Sequence, residues 1–196
     1  MKGGPFGDMS DSPHLDAGVI AGLVDHICSN ISPPAGSLFI RKFNAILAGQ
    51  FSGLCYSYQA PGDTAWNIPS ESPERALMAV TALLLEQGYS ARMMPMAEVS
   101  EYLSPDDDDS DSWGPLLTEW LVIPDFHVSG PKGYGLEPWL VKDLRTLLKR
   151  RMDERWPTII FAFDPWALDD QIGALINRHY AFITPREIQE LNRANR

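Results

Sequence analysis

Asp125 and His127 lie two residues apart, just after the apolar run Trp120-Leu121-Val122-Ile123. A carboxylate beside an imidazole is a pairing that moves protons in general acid–base chemistry. In an α/β fold, groups just past a strand's carboxyl end are the ones that meet ligands. A hydrolase built on this pair would also need a nucleophile on a strained turn such as G-x-S-x-G. The sequence has no such turn, so a small hydrolase using Asp125 and His127 stands as an alternative only. Cys28 and Cys55 sit among apolar neighbours and read as inert core thiols. The remaining histidines, His14, His26 and His179, are scattered, and no Cys/His spacing suits zinc. Asp106 to Asp109 with Asp111 form an acidic loop over 104–112. It lacks the glycine and terminal glutamate of a calcium loop and reads as a solvated segment. A flexible connector with one Lys and one Tyr spans Gly130-Pro131-Lys132-Gly133-Tyr134-Gly135. The strongest basic feature is Lys142, Arg145, Lys149, Arg150, Arg151 and Arg155. Their spacing puts several on one helix face, where they could meet phosphates or an acidic protein surface.

The charge balance limits which of these chemistries can dominate. The 196 residues carry 16 basic and 26 acidic side chains, a formal net charge of −10. The imbalance is uneven: residues 1–129 hold 5 basic and 17 acidic groups, residues 130–196 hold 11 basic and 9 acidic. A nucleic-acid binder that relies on bulk positive charge is disfavoured, and any such contact must be local and salt-sensitive. Hydrophobic residues at 44% and charged residues at 21% are typical of a folded domain, which excludes global disorder. Two cysteines build no disulfide framework, no apolar run nears the ~20 residues of a membrane helix, and the first 13 residues lack a signal's apolar stretch. A reducing, cytoplasmic setting is the expectation.

These residues must be positioned by alternating helices and strands. Residues 1–13 read as a disordered tail, and 14–50 as a helical segment with helices over 14–30 and 37–48, separated by Pro33-Pro34. Gly49 is a helix stop. Leu54-Cys55-Tyr56 is a short strand leading into a loop with the turn Pro61-Gly62. A helix capped by Ser70 or Ser72 runs to Gln87, with Gly88 as its C′ glycine. A strand over 91–96, with Met93, Met94 and Met96 as core filler, and a short helix over 97–103 follow. Trp120 to Ile123 and Thr158 to Phe163 are apolar at consecutive positions, as strands buried on both faces are. Helices over 138–155, 168–178 and 185–194 complete the pattern. Strands and helices at βαβ distances predict an α/β fold with a parallel sheet and flanking helices over 51–196.

Particular words at particular places give this alternation a likeness. GLCYSYQAPGDTAW at 53–66, LLLEQGYSARMMPMAEVSEYL at 83–103, EWLVIPDFH at 119–127, RMDERWPTIIFAFDP at 151–165 and LDDQIGALINRHY at 168–180 occur in order. The chain thereby resembles the ATPase core of AAA+ proteins in the branch of DnaC-type helicase loaders and transposon helper ATPases. The resemblance implies a P-loop NTPase/AAA+-like core over about two-thirds of the chain, preceded by a short adapter. It also implies that Asp125 is the remnant of the water-polarising acid after the third strand. Arg178 stands where a loader places an arginine finger that reaches a neighbouring subunit's nucleotide.

The departures from the resemblance carry as much weight. A working phosphate loop needs G-x-x-x-x-G-K-[ST], whose backbone, Lys and hydroxyl hold phosphates and Mg²⁺. Aligned on Pro61-Gly62, the Lys falls on Ala65 and the hydroxyl on Trp66; the metal-side Asp falls on Pro124. The expectation is therefore a degenerate loop with no cofactor, no metal site and no ATP hydrolysis. The chain would act as an accessory that binds and regulates a protein partner, a replicative helicase or an active AAA+ ATPase, in DNA replication or a mobile-element assembly. A scaffold or inhibitor subunit of an unrelated complex is the other non-enzymatic reading.

Overall fold

A computed structural model describes residues 33–57, 73–86, 88–103, 110–126, 138–162 and 170–184, with Glu187, Glu190, Arg193 and Ala194. Helix α1 spans Pro33–Leu47, β1 Gly53–Ser57, α2 Pro73–Glu86, β2 Ala91–Met93, and α3 Met96–Tyr102. A 3₁₀ turn covers Ser110–Leu116, then come β3 Trp120–Ile123, α4 Pro138–Asp153, β4 Thr158–Ala162, α5 Asp170–His179 and β5 Tyr180–Ile183. The five strands form one sheet in the order β2-β3-β4-β1-β5. Every pairing is parallel, with Gly53 opposite both Thr158 and Tyr180, and Leu121 opposite Thr158. The predicted α/β architecture with helices on a parallel sheet is what the chain adopts.

The inner strands β1, β3 and β4 are buried on both sides because nearly every position is apolar, Ser57 and Thr158 excepted, whereas the edge strand β2 carries Arg92 and is only half-buried. Side chains alternate between faces with period two. Leu54, Tyr56, Trp120, Val122, Ile159, Phe161, Ala181 and Ile183 face α1 and α2, meeting Leu38, Phe43, Leu77 and Leu84. Cys55, Leu121, Ile123, Ile160 and Ala162 face the other way, toward α3, α4 and α5, where Val99, Leu144, Leu148, Ile172 and Ile176 wait. Phe43 stacks on Trp120 with ring centroids 5.2 Å apart, and Tyr89 meets the same indole edge-on at 6.1 Å. These contacts fix α1 across the sheet. Met94 and Met96 are buried, as core filler should be.

Three helices stop in the same way. After α1, Gly49 adopts φ 73, its N–H donates to Ile46 O, and Gln50 N–H donates to Ala45 O. After α2, Gly88 at φ 84 repeats the arrangement with Leu85 and Leu84. Both are Schellman caps at the glycines the sequence marks. After α4 the left-handed position is held by Arg155, at φ 56, with Arg155 N–H on Met152 O and Trp156 N–H on Arg151 O.

Two differences from the sequence reading concern segment ends. α1 starts at Pro33, four residues before the expected 37, as proline at a first helical position can. β5 begins where α5 stops and leaves no signal in the sequence: Tyr180-Ala181-Phe182-Ile183 follows a helix with no turn residue between. The tail 1–13, the helix over 14–30 and residues 104–109 of the acidic loop lie outside the described residues.

Candidate functional site

In an open parallel sheet, ligands bind beyond the carboxyl ends of the strands. Here that edge is formed by Met93, Ile123, Ala162, Ser57 and Ile183, the last residues of the five strands. Past β3, Pro124 is buried and Asp125 half-buried. Phe126, fully buried, donates its N–H to Phe161 O at 2.8 Å, which holds the turn after β3 against β4. Asp125 Oδ1 accepts the N–H of Met96 at 2.7 Å. That amide is the first of α3, and the residue before it, Pro95, has no side chain to cap the helix. Asp125 therefore does for α3 what an N-cap side chain does, from 29 positions away.

A magnesium nucleotide needs a metal-side carboxylate and phosphate-binding donors at this edge. Pro124 brings neither, and Asp125 spends one oxygen on a helix. Among the described residues, the turn after β3 offers no carboxylate at the metal-side position. Pro61, Gly62, Ala65, Trp66 and His127 lie outside the described residues. Below the edge, burial pushes the Cys55 thiol far above its ordinary value. A thiol held neutral in this way is not a nucleophile at neutral pH.

Arg178 lies at the other end of the molecule. It is exposed in the last turn of α5, next to His179, whose carbonyl accepts Ser52 N–H at 2.8 Å below β1. Asp125 follows the carboxyl end of β3, so the two are separated along the strands by at least a strand's rise, ~13 Å. The chain does not bring Arg178 and Asp125 to one site.

The six basic residues of the second half divide by role. Lys142, Arg145 and Lys149 line an open groove of about 230 Å³ between α4 and α5, with Val141, Thr146 and Gln171. Arg145 Nη1 donates to Gln171 Oε1 at 2.6 Å. Arg150 is exposed on the outer side of α4, and Arg155 is exposed in the cap beyond it.

Arg151 corrects the sequence reading of a six-residue surface: it is wholly buried and takes no part in one. Its Nε donates to Thr158 Oγ1 at 2.8 Å. Nη1 donates to Leu116 O and Thr118 O at 2.7 and 2.9 Å, and Nη2 to Glu119 O and Pro157 O at 3.2 and 2.8 Å. All five guanidinium donors are used. Burial pulls this guanidinium down to about 10, a fall opposed by the neighbouring Tyr180, so it stays charged at neutral pH. Burial likewise pushes the Tyr180 phenol up to about 12. The signal for Arg151 was in the sequence: it lies four residues after Leu147 and three after Leu148, on the apolar face of α4.

No protein-family model matches the chain, and no curated protein matches it. Solved structures do match. A crystal structure of a DNA replication initiation factor aligns with TM-score 0.55 at 10% identity, over 81% of this chain and 48% of that one. AMPPCP-bound DnaA from Aquifex aeolicus aligns with TM-score 0.56 at 9% identity, over 81% and 49%. Replication initiator DnaA bound to AMPPCP and single-stranded DNA aligns with TM-score 0.51 at 11% identity, over 75% and 45%. The chain spans about half the length of these structures. At such identity the likeness shows the fold alone: a parallel sheet flanked by helices, arranged as in these structures.

Proposed function

We propose that this chain is an accessory protein of DNA replication or of a mobile-element assembly, one that uses an AAA+ core to engage a protein partner and does not itself hydrolyse ATP. The observation that carries the reading is the turn after β3. Where the resemblance expects a metal-side carboxylate there is buried Pro124, and the one acid beside it, Asp125, holds the first amide of α3. Ala65 and Trp66, at the sequence positions of the phosphate-loop Lys and hydroxyl, support the same reading. The neighbouring structures are replication initiators, two of them DnaA bound to a nucleotide analogue, which supports a replication setting.

The partner is a replicative helicase or an active AAA+ ATPase. Arg178, exposed at the foot of the sheet and far from its own chain's candidate site, is available to act in trans. A guanidinium in that position would stabilise charge on a neighbour's phosphates.

Titration calorimetry of the full chain with ATP and Mg²⁺ tests the proposal, run beside a phosphate-release assay. The expected result is no heat and no phosphate release. Micromolar binding with turnover, lost in Asp125→Asn, would overturn it and restore an ATPase.

A further inference from the structure

The outer side of α2 carries an apolar stripe. Leu77, Val80 and Leu84 are buried in the core, which leaves Met78, Ala82 and Leu85 turned away from it. Met78 and Leu85 are each 53% exposed. Spacings of four and three residues align the three side chains over ~10 Å of helix. A single exposed apolar side chain is ordinary, whereas a row of them along one helix face marks a surface that meets something.

The sequence holds an amphipathic stretch that lacks a counterpart: residues 14–30, outside the described residues, with Leu15, Val19, Leu23, Val24 and Ile27 at helical spacing. The connectivity carries that stretch toward the stripe. α1 and α2 contribute to one core on one face of the sheet. α1 ends through Gly49 into the start of β1, and α2 ends through Gly88 into the start of β2. Both helices therefore begin at the carboxyl ends of the strands. Residue 30 lies three positions before Pro33, where α1 begins. A connection that short joins antiparallel helical neighbours. A helix over 14–30 thus arrives at the end of the sheet where α2 starts, running opposite to α2. Val19, Leu23 and Ile27 span ~12 Å of such a helix, close to the length of the stripe.

We propose that residues 14–30 form an amphipathic helix that lies antiparallel on α2, with Val19, Leu23 and Ile27 against Met78, Ala82 and Leu85. A second copy presenting its own stripe would bury three side chains from each partner, far below what a stable dimer needs. A separate protein would have to displace a segment whose tether holds it at an effective concentration of about millimolar. The inference rests on α2 and on the sequence of 14–30, and it does not depend on the function proposed above.

Cross-linking of the full chain tests it, because Cys28 follows Ile27 and supplies a native thiol in the segment. Cys55 is buried and held neutral, so it stays silent in the folded chain. Met78→Cys and, separately, Leu85→Cys are treated with a short bismaleimide, and the joined peptides are mapped by mass. The antiparallel direction places Cys28 near the start of α2. The expected result is Cys28 joined to position 78 within one chain, in preference to position 85. Adding Leu23→Asp with Ile27→Asp to Met78→Cys should abolish the link. Circular dichroism melts confirm that each variant is folded; Leu23→Ser with Ile27→Ser replaces the Asp pair if that one is not. No link within the chain, a preference for position 85, or a link that survives the Leu23 and Ile27 substitutions would overturn the proposal. So would a link between two chains, which would assign the stripe to a second copy.

Discussion

Arg151 shows how much one buried side chain can organise when its donors are all matched. Its charge faces no carboxylate; four backbone carbonyls and one hydroxyl share it. Those carbonyls come from the 3₁₀ turn, the approach to β3 and the approach to β4, three segments that Arg151 joins at one point. Lysine offers three donors at one point and cannot span them. Arg151→Lys should therefore lose about 2–4 kcal/mol in urea unfolding. Arg151→Met should lose at least as much, because it leaves the same carbonyls buried and unpaired. The sequence marked Arg151 as one cation among six. Only its phase on the helix distinguished it, and phase is read with difficulty in a run of three consecutive basic residues, Lys149 to Arg151, between Leu148 and Met152.

At the scale of elements, caps are where local sequence and long-range structure divide the work. Gly49 and Gly88 are local signals, and each ends its helix where the sequence says. Arg155 occupies the same left-handed position with a side chain that disfavours it by about 1 kcal/mol. Arg155→Gly should raise stability by up to ~1 kcal/mol, seen as a higher denaturant midpoint with an unchanged slope. The start of α3 is the opposite case, since its capping oxygen comes from Asp125, across the β2–β3 connection. Asp125→Asn keeps an acceptor there and should change stability by less than ~0.5 kcal/mol. Asp125→Ala should cost ~1 kcal/mol and speed hydrogen exchange at the Met96 amide. A capping role and a water-polarising role separate here, because the second would be lost in both variants. Thr184 and Glu187 form a reciprocal box, Thr184 N–H on Glu187 Oε2 at 3.1 Å and Glu187 N–H on Thr184 Oγ1 at 3.3 Å. That T-P-R-E word was a legible helix start; β5 just before it was not, because four residues are too few to show a period.

For the whole molecule, the parallel sheet was legible because its inner strands are apolar on both faces and separated by helices. The strand order was not, since nothing local tells β1 to lie between β4 and β5. The candidate site was legible only as residue types: Asp125 and Pro124 are placed as expected after β3, but the amide that Asp125 serves comes from a packing contact. Gly53 is a further case. A methyl group there would overlap the Thr158 carbonyl and the Tyr180 ring, so the close approach of β1 to both partners needs glycine. Gly53→Ala should destabilise the sheet by about 2 kcal/mol or more, measured by thermal or urea unfolding.

The central position of β1 has a consequence for the chain as it is made. Its partner β4 lies roughly a hundred residues downstream, and β5 further still. At ~5–20 residues per second, a ribosome needs about 5–20 seconds to deliver the first of them. During that interval Leu54, Cys55 and Tyr56 have synthesised neighbours but no strand to pair with, and α1 and α2 no finished sheet to cover. An inner strand of the sheet is thus made first and paired last, and its apolar faces stay open until β4 is delivered.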